Sequence, residues 1–362
     1  MPELILDTQK CLHNIEKMAQ KARHNNLSFR PHCKTHQSAG IGNWFRDFGI
    51  SKITVSSFPM AGYFARAGWK DILVAFPFDP AQLKILNGLS EKVRISILID
   101  SPDILPFLDR IDARVSFYID VDSGYERTGV RTEEITTLER IIEDSKKNKN
   151  LSFSGFYCHA GHSYKTSDPS EREVIHVKAR TDLGLLKEQF RVYKPLALYG
   201  DTPNCSTQKD FSGIDEITPG NFVFYDLTQH SLGACKKEDI AVAMVCPVLS
   251  KYPGQNRLLI HGGAVHFSKE SLAVNGTRIF GQLVNPDNKG WSAFPHEQYI
   301  NSISQEHGIL KDCGTWMDGI RPGDKLGFLP VHSCLTANLM REYKTTDGQI
   351  ISTLNSCLKK SN

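Results

Sequence analysis

Residues 8–24 place Leu12, Ile15, Ala19 and Ala22 successive helical turns apart, which predicts an amphipathic helix at the start of the chain. Beyond it the apolar positions gather into short runs. These fall around Leu27 and Phe29, then at 53–57, 71–76, 93–100, 115–122, 151–159, 196–200, and either 214–217 or 222–225. Helical or turn segments separate them. About eight strands alternating with helices predict an α/β fold of the (β/α)8 barrel kind. Two of the intervening helices are legible. Thr132 can cap residues 133–147, with Glu133 and Glu134 in the first turn and Lys146 and Lys147 in the last. Asp168-Pro169 offers an N-cap and a first-turn proline ahead of 170–189.

After Asp226 the pattern changes. β-branched and apolar runs at 240–249, 257–267, 277–284 and 324–330 are separated by Gly, Pro and Asn. This divides the chain into a barrel over 1–230 and a β-rich domain over 231–362. A length of 362 residues agrees with more than one domain. The net charge of only +3 argues against a nucleic-acid binder. No apolar run approaches the ~20 residues of a membrane span, and the first residues lack the basic and apolar regions of a signal peptide. Nine cysteines without framework spacing read as reduced thiols, and the cytoplasm is the expected location.

In a barrel the chemistry belongs just past the C-terminal strand ends. After the first strand comes Arg30-Pro31-His32-Cys33-Lys34-Thr35-His36-Gln37. A lysine among two histidines and an arginine loses proton affinity by repulsion and desolvation, and a neutral amine can attack a carbonyl. A solvated basic loop is the alternative. Asp122 to Gly129 reads either as a glycine turn with a surface ion pair or as a site element offering Arg127. Tyr157-Cys158-His159-Ala160-Gly161-His162-Ser163-Tyr164 could be a metal nest, a base or a buried polar network. The turns at Gly200-Asp201-Thr202 and Pro219-Gly220-Asn221 could cradle a phosphate after the last two strands. In the β-rich domain, His332 and Cys334 stand at i and i+2 of an expected strand. They would share a face there, to hold one zinc ion or simply to pack.

Together these motifs resemble the D-serine dehydratase and D-threonine aldolase family of alanine-racemase-like enzymes. Arg30 to His36 is similar to its R-P-H-x-K-T-H segment, which implies that Lys34 carries pyridoxal 5'-phosphate as a Schiff base and removes the substrate α-proton. The D-x-G-x-x-R-x-G resemblance implies that Arg127 hydrogen-bonds the cofactor's phenolic oxygen. The Y-x-H-x-G-H-x-Y resemblance implies that Tyr157 and Tyr164 line the cofactor and that His162 faces the substrate hydroxyl. Thr202, Gly220 and Asn221 match the family's phosphate segments, with Phe222 in place of a tyrosine. Glu306-His307-Gly308 and Pro330 to Cys334 resemble its E-H-G and P-x-H-x-C segments, implying zinc on His332 and Cys334. Family aldolases tend to carry aspartate at the position of Cys334. Thr218 stands where racemases carry arginine. His261 stands where relatives often have an Asp-Gly turn, and no role follows for it.

The resemblance thus implies an alanine-racemase-type barrel with a C-terminal β-domain. The implied function is dehydration of a β-hydroxy-D-amino acid, D-serine foremost, to a keto acid and ammonia. Two alternatives stay open: a D-threonine-type aldolase using His162 as base, and a non-catalytic pyridoxal phosphate carrier. Relatives suggest a homodimer whose partner is a small D-amino acid rather than nucleic acid or membrane.

Overall fold

The computed structural model describes residues 1–287 and 290–358. The chain opens with β1 (Glu3–Leu6) and α1 (Thr8–His24). Asp7 caps the helix by accepting the Lys10 N–H at 3.0 Å, and Lys21, Arg23 and His24 occupy the last turn, where the helix dipole favours them. Its buried face is Cys11, Asn14, Ile15, Met18, Ala19 and Ala22; of the residues the spacing singles out, Ile15, Ala19 and Ala22 lie on it and Leu12 is only partly buried.

Eight parallel strands build the barrel: β2 (Ser28–Phe29), β3 (Ile53–Val55), β4 (Asp71–Pro77), β5 (Arg94–Ile99), β6 (Val115–Asp122), β7 (Leu151–His159), β8 (Leu196–Gly200) and β9 (Glu216–Ile217). They bond in the order β2-β9-β8-β7-β6-β5-β4-β3. A bridge between His32 and Thr54 joins the two edges. In it the Thr54 N–H donates to Pro31 O at 2.9 Å and the Cys33 N–H to Thr54 O at 2.8 Å. The ring therefore closes immediately before Lys34.

The barrel interior is layered, because alternate residues of each strand face inward. Where the strands begin, Arg30 is only 3% exposed and binds Glu216, the first residue of β9, and Asp71, the first residue of β4, at 2.7 Å. Lys52 also pairs with Glu216. The next layer is apolar: Leu73, Leu98, Tyr118, Tyr157 and Leu198. The polar strand ends lie beyond it.

The second sheet is mixed and contains β10 (Val242–Tyr252), β11 (Arg257–His261), β12 (Gly281–Asp287), β13 (His307–Lys311), β14 (Lys325–Pro330) and β15 (Glu342–Thr345). β1 is threaded into it, antiparallel to β10 with Glu3 opposite Val245 and parallel to β15 with Ile5 opposite Lys344. The first strand of the chain thus belongs to the last sheet. Among the described residues no helix is long and apolar enough to cross a membrane.

Four expectations are corrected. α2 (Ile135–Ser145) starts after Glu134, so Thr132 is not its cap, Glu133 and Glu134 precede its first turn, and Lys146 and Lys147 follow its end. Val130 and Arg131 pair with the end of β6, which keeps the backbone extended there and buries Thr132. Residues 221–223 form a 3-10 turn, so the eighth strand is β9 rather than 222–225. The run 257–267 is a strand only to His261, with a short helix at Ala264–Phe267. Most consequential, His332 and Cys334 do not lie on a strand. β14 stops at Pro330, Val331 O is taken by Thr228, and α3 (Ser333–Met340) begins with His332 at its cap position. By contrast, Asp168 caps Pro169–Gln189 as expected, accepting the Ser170 N–H at 2.8 Å.

The layering predicts that Arg30→Met leaves Glu216 and Asp71 poorly compensated inside the barrel. The expected cost is about 3–5 kcal/mol of stability, read from the denaturant midpoint; a loss below about 0.5 kcal/mol, typical of a surface change, would show that the cluster does not hold the barrel together.

Candidate active site

The strand parity that turns Arg30 into the barrel brings His32 and then Lys34 to the same side, nearer the open end. His32 is buried, and its Nδ1 accepts the Lys34 N–H at 3.4 Å. The Lys34 side chain keeps accessible surface, yet protein surrounds its amine on most sides. That enclosure lowers the amine's proton affinity; Cys334 opposes the shift and Arg127 adds to it. The depression expected from Arg30 and the motif histidines therefore has another source. Arg30 is held by Glu216 and Asp71. His32 and His36 are kept uncharged chiefly by burial, and His36 packs away from the site, stacked on Phe45 at 5.8 Å.

Arg127 is delivered by a tight turn after β6. The Asp122 carboxylate accepts the N–H groups of Gly124 at 2.9 Å and Tyr125 at 2.7 Å, folding the turn. Gly129 then needs a positive φ of 105°, and a Cβ there would sit 2.9 Å from the Asp122 nitrogen. The Arg127 guanidinium lies 5.1 Å from the Tyr125 ring centre and the Lys165 amine 5.4 Å. Behind this turn, burial pushes the Asp120 carboxyl up to about 7 while Thr128 donates to it at 2.7 Å.

Tyr125 also packs against two histidines, edge-on to His159 at 5.8 Å and stacked on His162 at 6.0 Å. His162 is half-buried, burial lowers its proton affinity, and its Nδ1 is enclosed without a hydrogen-bond partner among the described residues. His159 belongs to the site although the sequence reading assigned it nothing. Its Nδ1–H donates to Gly200 O at 2.7 Å, leaving Nε2 as an acceptor. Burial first, then Lys34 and Arg127, bring its pKa down to about 3. The signal was available: Tyr157 and His159 are i and i+2 on one strand, so both face inward.

The expected phosphate turns are close together in the chain's fold. Tyr164 OH accepts the Thr202 N–H at 3.2 Å. Thr202 Oγ1 is enclosed beside the Tyr164 hydroxyl, a buried donor suited to an anion. A Cβ on Gly220 would lie 3.0 Å from His32 O, so only a bare backbone passes there. Tyr157 is buried, and Thr218 Oγ1 donates to its hydroxyl at 3.5 Å. The Asn221 side chain is engaged elsewhere. Its Nδ2 donates to Asp226 at 2.6 Å, Ser333 Oγ at 3.3 Å and Cys334 Sγ at 3.4 Å.

Asp226 links this cradle to the second domain. It is 1% exposed and also accepts the Ser333 N–H at 2.9 Å, Ser333 Oγ at 3.2 Å and the Gln229 N–H at 2.8 Å. Ser333 lies between His332 and Cys334, so those two are fixed against the barrel. They meet through a hydrogen bond even though they are not on a strand. Burial opposes charge on both, yet the bond and mutual attraction win: His332 is pushed up to about 9 and the Cys334 thiol is pulled below its ordinary range. Thr35, next to Lys34, touches Cys334 Sγ at 3.2 Å. A surface cavity of about 770 Å³ lies where the barrel strands begin, lined by Lys70, Arg94 and Arg114, away from all of these groups.

Comparison with known proteins finds relatives for both parts of the chain. Residues 6–193 match the alanine racemase N-terminal domain and residues 241–346 the serine dehydratase domain. The chain is 29% identical to the D-serine dehydratase of Dictyostelium discoideum, covering 96% of this chain and 94% of that protein. It is 25% identical to the D-threo-3-hydroxyaspartate dehydratase of Delftia sp. (strain HT23), covering 96% and 95%. The solved structure of D-threo-3-hydroxyaspartate dehydratase from Delftia sp. HT23 superposes with a TM-score of 0.89 at 23% identity, covering 98% and 97%. D-threonine aldolase from Filomicrobium marinum superposes at 0.82 with 19% identity, covering 99% and 96%; both likenesses concern the fold. The chain belongs to the alanine racemase N-terminal-domain family, and its near full-length likeness to dehydratases makes it a carbon–oxygen lyase.

Proposed function

We propose that this chain dehydrates a β-hydroxy-D-amino acid, D-serine foremost, to a keto acid and ammonia, using pyridoxal 5'-phosphate and zinc. The observation that carries the reading is the meeting of the Lys34 segment with the His332–Cys334 pair through Thr35. The similarity to D-serine and D-threo-3-hydroxyaspartate dehydratases supports it.

The residues fit the cofactor. Lys34 offers a desolvated amine to hold it, Thr202 a buried hydroxyl for its phosphate, and Gly220 a backbone with no side chain in a tight passage. When bound, pyridoxal phosphate supplies an electron sink for the charge left at Cα. The donor set of His332 and Cys334, one imidazole and one soft thiolate, suits zinc, which would supply Lewis acidity toward the β-hydroxyl.

The chain's own groups do the rest. Lys34 Nζ takes the α-proton, and its lowered proton affinity keeps a fraction of it unprotonated for that task. Arg127 places a fixed positive charge beside it. Tyr157 and Tyr164 wall the pocket, and His162 hydrogen-bonds the β-hydroxyl. Cys334, rather than an aspartate, favours loss of that hydroxyl over cleavage of the Cα–Cβ bond. The reading includes a homodimer in the cytoplasm, with the domains divided near residue 230; the described cysteines are all free thiols, as a reducing compartment requires.

Lys34→Ala is expected to release no keto acid and to lose both the visible absorbance of bound cofactor and any borohydride-stable link to it. A mutant retaining that link would place the attachment elsewhere. For the reaction itself, D-serine should yield pyruvate and ammonia, a chelator should stop the release while cofactor absorbance persists, and zinc should restore it. Glycine and an aldehyde from D-threonine, with no pyruvate from D-serine, would make the chain an aldolase. Full activity in metal-free protein would remove zinc from the account.

A further inference from the structure

Two motifs take no part in the chemistry above: His261-Gly262-Gly263 and Glu306-His307-Gly308. The fold brings them together. His261 ends β11 and His307 begins β13, and the two stand opposite each other in antiparallel register. Past that pair, the Gly262 N–H donates to Glu306 O at 2.9 Å and the Ala264 N–H to Ser304 O at 2.8 Å. The close approach needs glycine on both sides. A Cβ on Gly263 would lie 2.4 Å from Gln305 O, and one on Gly308 would lie 2.6 Å from Gly262 O.

This clamp fixes three side chains. The Ala264–Phe267 helix turns His266 back toward His261, with the rings perpendicular at 5.2 Å. Glu306 Oε2 lies 3.4 Å from His261 Nε2 and 3.9 Å from His266 Nε2. One donor atom from each residue falls within 4.8 Å of the others. All three are partly buried, and they line a cavity of about 610 Å³ with Glu3, Leu339 and Arg341 that includes none of the residues placed around Lys34. Lys344, in the same cavity, is paired with Glu3.

We propose that His261, His266 and Glu306 form a second metal site, distinct from His332 and Cys334, for a divalent transition ion such as zinc. Two imidazoles and a carboxylate are borderline donors that select such ions over magnesium or calcium. A tetrahedral ion with bonds of about 2.1 Å sets its ligand atoms about 3.4 Å apart, the spacing Glu306 already has to His261; His266 stands 3.9 Å from Glu306 and within 4.8 Å of both, so its ring has to turn inward to ligate. Three ligands leave one position to solvent or a small ligand, as in open zinc sites. One local bond opposes binding. His266 Nδ1 accepts the Gly263 N–H at 3.2 Å, which puts the neutral ring's proton on Nε2. Ligation through Nε2 moves that proton to Nδ1 and gives up this long bond, so the site is weaker than a fully preorganised one.

The inference does not depend on the dehydratase reading. The test uses the full chain carrying His332→Ala and Cys334→Ala, stripped with chelator and dialysed against zinc or cobalt(II). It is expected to retain one ion per chain, with a cobalt spectrum free of thiolate charge-transfer bands. Adding His261→Ala, or the near-isosteric Glu306→Gln, should weaken zinc binding at least ~10-fold with the far-UV circular dichroism unchanged. Absence of any bound ion in the double variant, or unaltered binding in both triple variants, would overturn the site.

Discussion

The carboxylate of Asp226 sits where the barrel hands the chain to the second sheet, and it has to satisfy donors from both sides at once. On one side is the amide of Asn221 in the cradle turn; on the other are the backbone and hydroxyl of Ser333, between His332 and Cys334. Bonds to a carboxylate are roughly twice as strong as neutral ones, and leaving a buried donor unpaired costs about 1–3 kcal/mol. With Asp226 in place, the helix start carrying Cys334 cannot drift from the turn that carries Gly220. Its first turn is set by a side chain from the barrel, since His332 makes no side-chain cap of its own.

The electrostatics of Lys34 follow from the same closure. The ion cluster of Arg30, Glu216, Asp71 and Lys52 is kept at the far end of the barrel by an apolar layer that includes Tyr118 and Tyr157. Arg30 therefore organises the strands and leaves the lysine to two other charges. Arg127 arrives from the β6 turn and Cys334 from the second domain, with opposite effects on the amine. Enclosure remains the larger influence, which is how an amine reached by solvent still has depressed proton affinity.

Local pattern carried much of this. The spacing of apolar residues gave Thr8–His24 and the limits of β6, β7 and β8 directly, because each is decided by its own side chains and caps. Where the outcome depends on distant partners, the pattern misled. Glu3–Leu6 falls in the stretch assigned to the barrel, and only β10 and β15, more than two hundred residues away, make it an interior strand of the second sheet. Residues 332–334 look like the end of a strand, but Asp226 and Thr228 capture the backbone and begin a helix. Motif likeness gathered Lys34, Arg127, Tyr164, Thr202, Gly220 and Cys334, whereas His159 and Asp226 come from inward alternation and from hydrogen-bond accounting.

The central claim is that barrel and second sheet make a single site, tied by Asp226. It is tested most directly by measuring zinc and pyridoxal phosphate affinity separately in Asp226→Asn. The substitution keeps size and shape but turns one acceptor oxygen into a donor facing Asn221 or Ser333. The account predicts that both affinities fall together, the metal's by roughly 10–100-fold, while far-UV circular dichroism stays that of the native chain. Wild-type affinity for both ligands, or loss confined to one of them, would contradict it.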